Sequence, residues 1–335
     1  MMTELVFEQE WSGNDADRER TTPKLPWQHP YKQGYCQVGN GRTAQPIHLY
    51  YELHGQGPNK VALIQGLNSP CQAWDYQTTF FAALDYTVLV FDARGVGWTG
   101  GSWDWYNTEE WARDFLELLD YVGWTEDVHA LGQSAGGQVM LKALLLDKDP
   151  TKRFRSASLL NTTAGGTRPL AGAWTLATNL FVTPDQQIAR LIRTSYTKAW
   201  LDAPSENDSS KTNFDLVRDR IMTRNARSRP QTPGAMLSQA IASLRHWVTA
   251  ADLEKIKATD IPTLVVTNAW DNFVHTSHSY YLKEKLEPRK FVIFEDAGHI
   301  VPTEKYKELN NLLDIFWHEV YNESNPPNEQ PASPL

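Results

Sequence analysis

Positive charge is the first scarcity in this chain. Lys and Arg number 32 against 40 acidic residues, the net charge is −8, and no stretch gathers cations into a face. Nucleic acid and anionic membrane surfaces would on average be repelled, so neither is expected as a partner. Cysteine is scarcer still. Cys36 and Cys71 are the only two in 335 residues, and they lack CxxC spacing. That excludes a disulfide framework and leaves a reduced, cytoplasmic setting as the expectation. Long apolar runs are also missing, since no window reaches the roughly 18 residues of a membrane-spanning helix. The opening MMTELVFEQEWSGNDADRER carries acids where a secretory leader has a positive start and an apolar run, so no leader is expected.

What is present alternates. Residues 1–45 are polar and turn-rich and read as an extension. Residues 324–335, SNPPNEQPASPL at the end of the chain, read as a disordered tail. Between them, Ile47 to Leu53 has the period of two of an edge strand. Short apolar runs at 61–64, 87–91, 128–131, 156–160, 263–267 and 291–294 predict buried strands. Helices are predicted after Asn107, over 136–146 and beyond Leu309. This is the α/β pattern of a mostly parallel sheet with helices on both faces. The interval 166–255 breaks it. It is helical in pattern, without a convincing strand, and predicts a cap inserted between late strands of a core made from 46–165 and 256–323.

Gly132-Gln133-Ser134-Ala135-Gly136 lies between the strand VHAL and the helix GGQVMLKALLL. A serine at that turn projects from a strained backbone, and small neighbours let the chains approach closely. Its hydroxyl needs a base, and the base needs an acid to hold its tautomer. His299 follows the strand KFVIFED, and Asp271 follows TLVVT, so both would sit at strand C-terminal ends beside Ser134. Asp296 is too close to His299 in the chain to turn back onto it. Ala135 N–H and Leu67 N–H are the candidate oxyanion donors, with Asn68 as the alternative to Leu67. His275 and His278 form an HxxH with Asp271 nearby, but three ligands from one loop would need a fourth partner that no cysteine or motif supplies, so no metal is expected. Gly95-Val96-Gly97-Trp98-Thr99-Gly100 matches GxGxxG, yet the next helix starts near Asn107, too late for its N-terminus to receive a pyrophosphate.

Five segments in order resemble the α/β-hydrolase superfamily. They are IQGLN at 64–68, FDARGVGWTG at 91–100, GQSAGG at 132–137, TNAWDNFVH at 267–275 and DAGHIVP at 296–302. Within it the chain is similar to enol-lactone hydrolases, cofactor-free haloperoxidases and lipase-like esterases. Two positions depart from that pattern, with Gln65 and Gln133 standing where His is common. The resemblance implies an α/β-hydrolase fold and cofactor-free hydrolysis of a small ester, lactone or related acyl substrate through an acyl-enzyme. Ser134 disfavours the epoxide and haloalkane hydrolases of this fold, which use an Asp nucleophile. The rivals are a C–C bond hydrolase or aminopeptidase on the same triad, and a ligand receptor of negligible turnover. An uncharged, apolar or aromatic substrate is expected. Its pocket would be drawn from Asn68, Gln133, Trp98, Trp103, Trp105, Trp174, Trp270 and His275.

Overall fold

The computed structural model describes residues 28–99, 105–166, 182–206, 208–229 and 231–324. Trp103 and Trp174, two of the expected pocket residues, lie outside them. The strands are β1 (Tyr31–Val38), β2 (Ile47–His54), β3 (Asn59–Ile64), β4 (Tyr86–Phe91), β5 (Val128–Gln133), β6 (Phe154–Leu160), β7 (Thr263–Asn268) and β8 (Lys290–Phe294). They form one sheet in the order β1-β2-β4-β3-β5-β6-β7-β8. β2 pairs antiparallel with β1 and β4, and every later pairing is parallel. β5 and β7 are buried along their whole length, which is why they read as near-continuous apolar runs.

The helices are α1 (Asp75–Ala82), α2 (Thr108–Tyr121), α3 (Ala135–Leu146), α4 (Pro150–Arg153), α5 (Pro184–Ser195), α6 (Lys198–Asp202), α7 (Asn213–Arg227), α8 (Pro233–Leu244), α9 (Ala250–Lys257), α10 (Ser277–Leu286), α11 (Val301–Glu304) and α12 (Tyr306–Ser324). One face of the sheet is covered by α2, α3, α9 and α10, through Trp111, Phe115, Val139, Leu253 and Leu282 among others. The opposite face is covered by α1 and α12, through Phe81, Leu309, Leu313, Phe316 and Trp317. The Asn107 side chain accepts from Glu110 N–H at 2.9 Å and starts α2, whose apolar residues at helical spacing then meet the sheet. Truncating fully buried Phe115 to alanine would cost about 3–5 kcal/mol.

Two boundaries differ from expectation. Residues 31–38, assigned to the extension, form β1, so β2 is not the edge. The segment YKQGYCQV is half polar because an edge strand is only partly covered, with Tyr35 buried in the α1–α12 layer and Cys36 and Val38 in the opposite one. In addition, α9 runs across position 255. Its Leu253 and Ile256 bury against the sheet-facing cluster, so it belongs with the core helices. The helices α5 to α8 fall between β6 and β7. Thr183, Thr212, Thr232 and Thr249 each accept a backbone N–H at the start of α5, α7, α8 and α9. Such a cap is worth about 1 kcal/mol. Ile192, Tyr196, Leu201 and Val217 make a small cluster of their own, on which Ile300 of the core packs.

Candidate active site

Ser134 follows β5 and precedes α3 with φ 55° and ψ −119°. Such a backbone costs a non-glycine residue about 1–3 kcal/mol and persists only where the surroundings impose it. Here they do. Ser134 N–H donates to Leu160 O at 2.8 Å, and Thr162 Oγ1 donates to Ser134 O at 2.6 Å. A Cβ at Gly136 would lie 2.1 Å from Ile64 O, so only glycine lets the helix start this close to β3. The loop after β3 is equally near, since a Cβ at Gly66 would lie 3.4 Å from Ser134 Cβ.

Asp271 and His299 come together from the ends of β7 and β8. His299 Nδ1 lies 2.8 Å from Asp271 Oδ2, and the Asp271 side chain is fully buried. Its other oxygen accepts from Phe273 N–H and Val274 N–H, each at 2.8 Å. Three donors thus face this carboxylate, and the Phe273 ring lies 5.1 Å from the imidazole. Among the described residues no hydrogen bond joins Ser134 Oγ to the imidazole. Catalytic hydrogen bonds often tighten only when substrate is bound.

The turn carrying His299 is held by Gln133, which the sequence placed in the pocket, and by three side chains that sequence reading missed. Asn161 Nδ2 and Gln133 Nε2 donate to His299 O at 2.7 and 3.1 Å. Asn268 Nδ2 donates to Gly298 O, and Gly298 N–H donates to Glu304 Oε2 at 2.8 Å. Gln133 therefore anchors the turn through its amide donor. For Gln133, Asn161 and Asn268 the sequence signal is position, a polar side chain at or just after the end of a buried strand.

The oxyanion candidates flank Ser134. Ala135 N–H begins α3, where the helix dipole favours negative charge. Asn68 N–H donates to Gln239 Oε1 at 2.5 Å, and Gln231 Nε2 donates to Asn68 Oδ1 at 3.0 Å. Leu67 N–H donates to no acceptor among the described residues. Gln65, where His is common, donates from Nε2 to Phe91 O and ties the ends of β3 and β4 together.

The remaining expected pocket residues scatter. Trp98 packs on the α1–α12 side of the sheet with Phe80 and Phe294. Trp105 and Trp270 are 66% and 64% exposed, so most of each ring meets solvent. His275 is exposed and pairs with Ser277 Oγ at 3.0 Å, whereas His278 is buried against Thr163 Oγ1 at 2.7 Å. The two imidazoles have separate partners. The glycine motif also has a packing cause. A Cβ at Gly97 would lie 2.0 Å from Asp92 Oδ2, and one at Gly95 would lie 2.7 Å from Ala235 Cβ. Arg94 is no free cation beside the site. It is buried and donates to both oxygens of Asp114, at 2.6 and 2.7 Å.

A family profile described as alpha/beta hydrolase fold matches residues 59–306. A protein from Pseudomonas savastanoi pv. phaseolicola assigned as a carbamate hydrolase, RutD, is 26% identical over 75% of this chain and 92% of its own. A second RutD, from Azorhizobium caulinodans, is 32% identical over 34% of this chain and only 40% of its own length. Other relatives include an esterase/perhydrolase and non-heme chloroperoxidases. Among solved structures, a thermophilic esterase from Thermogutta terrifontis superimposes with a TM-score of 0.67 at 20% identity, over 85% of this chain and 98% of that one.

Proposed function

The chain belongs to the α/β-hydrolase fold family, and on that premise we propose that it is a serine hydrolase of esters, lactones or related acyl compounds. The observation that carries the reading is the buried Asp271–His299 pair, at 2.8 Å, at the same end of the sheet as the strained Ser134. Ser134 Oγ attacks the acyl carbonyl while His299 Nε2 takes its proton. Asp271, bonded to Nδ1, holds the reactive tautomer and stabilises the imidazolium. Ala135 N–H and Leu67 N–H stabilise the tetrahedral oxyanion. The imidazolium then protonates the leaving group and the same nitrogen activates water to release the acid. A carbamate is attacked in the same way, so the RutD relatives fall within this acyl class.

Segment 166–255, less α9, is the cap in this reading. Support comes from Gln231 and Gln239, which bond Asn68 beside the oxyanion loop, and from Ala235 against Gly95. The substrate is uncharged and apolar or aromatic. Arg94 is neutralised by Asp114, and Phe273 rather than Trp270 supplies the ring nearest His299.

The test is covalent labelling with a fluorophosphonate followed by peptide mapping. Ser134 should be the labelled serine, and Ser134→Ala should lose labelling and cut turnover by about 10⁴-fold or more. Label on another serine, or a variant with near-normal turnover, would overturn the assignment. A matched ester series then tests the substrate class, and preference for anionic acyl groups would refute it.

A further inference from the structure

Glu304 is a buried carboxylate that the mechanism above does not use. It lies at the end of α11, five residues after His299, and is 5% exposed. Its two oxygens face different parts of the molecule. Oε2 accepts from Gly298 N–H at 2.8 Å, one residue before the proposed base. Oε1 accepts from Thr197 N–H at 3.1 Å and from Thr197 Oγ1, in the connection between α5 and α6. The same two segments meet again nearby. Ile300 N–H donates to Ser195 O at 3.2 Å, and a Cβ at Gly298 would lie 2.5 Å from Ser195 O and 2.8 Å from Tyr196 Cα. The His299 turn and the α5–α6 connection therefore share backbone contact as well as this one carboxylate.

Resting on the serine-hydrolase reading, we propose that Glu304 is a positioning residue that couples the α5–α6 connection to His299. The geometry gives the reason. The other groups holding this turn, from Gln133, Asn161 and Asn268, come from the ends of sheet strands and fix its carbonyls relative to the core. Glu304 alone among these side chains holds the Gly298 amide, and it shares its charge with Thr197. Movement of the α5–α6 connection away from the core withdraws the Thr197 donors, and the carboxylate then follows or re-aims. Either response shifts Gly298, and a displacement of about 1 Å at a catalytic group can cost roughly 10²-fold in rate. Burial of the base and closure over the substrate are thereby linked through one side chain.

The experiment reads base competence without needing the natural substrate. Phosphonylation of Ser134 by a fluorophosphonate is followed to give the limiting inactivation rate and the half-saturating concentration separately, in the full chain. The proteins compared are the wild type, Thr197→Val, Glu304→Gln and the double variant, with thermal midpoints taken in parallel. Both single variants should lower the limiting rate, Glu304→Gln by about tenfold or more, while half-saturation stays within about twofold. The double variant should be no slower than Glu304→Gln, because the Thr197 hydroxyl acts only through that carboxylate. If Glu304→Gln fails to fold, Thr197→Val decides alone. A limiting rate unchanged in Thr197→Val, or losses that multiply in the double variant, would overturn the coupling. A lowered midpoint with normal inactivation would reduce Glu304 to a structural residue. Absence of label on wild-type Ser134 is a different result, since it removes the hydrolase reading itself and the inference with it.

Discussion

Among the described residues, two carboxylate–imidazole pairs are buried at the same separation. Asp271 Oδ2 lies 2.8 Å from His299 Nδ1, and Glu52 Oε2 lies 2.8 Å from His54 Nε2. What separates them is the far side of each ring. His54 Nδ1 is engaged by His29 Nε2 at 2.8 Å, and Glu52 and His54 both sit within β2 near the sheet edge. Glu52 Oε1 further accepts from Tyr50 at 2.8 Å and Gln72 at 2.6 Å. Burial alone would raise the Glu52 carboxyl, but the bonds from His54, Gln72 and Tyr50 hold it below the usual carboxylate range. The pair is closed on all sides and acts as a polar rivet. The Asp271–His299 pair occupies the strand ends, where a strained serine and a glycine-lined loop adjoin it. An acid and an imidazole in contact are thus not enough for catalysis. The second ring nitrogen has to remain available at a place that a substrate can reach.

Exchanging damage between the two pairs sharpens this difference. Asp271→Asn should lower kcat by about 10⁴-fold through the wrong imidazole tautomer, while the melting temperature changes little. Steady-state hydrolysis of an activated ester measures it, and near-normal kcat would send the search for the acid elsewhere. Glu52→Gln should do the reverse. Leaving buried donors imperfectly paired should cost about 1–3 kcal/mol in urea unfolding, with kcat within about twofold of wild type. A large loss of kcat in Glu52→Gln would show that the edge network reaches the site.

The third comparison concerns imidazoles whose partners are hydroxyls rather than carboxylates. His129 and His246 are buried and paired with Ser156 Oγ and Thr108 Oγ1, each at 2.7 Å. Burial pushes both down to about 3, below the ordinary 6.5. Between those values the unfolded chain binds the protons that the folded chain refuses. Their contribution is therefore complete above pH 6.5 and is lost as pH falls toward 3, by about 1.4 kcal/mol per pH unit for each group. Urea unfolding from pH 7.5 to 4 should show a gradient that is shallower by about that amount in His246→Gln than in the wild type. Equal gradients would mean that His246 is protonated in the folded state.

Legibility from sequence followed the range of the interactions. β3 to β8, α2, α3 and α12 announce themselves because their apolar residues repeat locally, and Ser134, Asp271 and His299 each follow such a strand. β1 did not, since Gly34 and three polar residues, Lys32, Gln33 and Gln37, interrupt its apolar positions. The tethers were illegible for another reason. Asn161 meets His299 across 138 positions, Thr197 meets Glu304 across 107, and Gln239 meets Asn68 across 171. Nothing in a short window of sequence encodes such pairings. Chain proximity also says little about orientation, for Trp270 directly precedes Asp271 and yet leaves most of its surface to water.

The two thiols have a use that follows from where they lie. Cys36 and Cys71 are 1% and 0% exposed, and they belong to the packing layers on opposite faces of the sheet. Each layer therefore carries its own built-in clock for transient opening. In the native protein neither thiol should react with a bulky alkylating reagent until its layer opens, so each modification rate reports one opening free energy. Matching rates would mean that the two layers come apart as a single cooperative unit. A faster Cys36 would mean that the hairpin edge frays while the layer behind Asp92 and the loop after β3 stays shut.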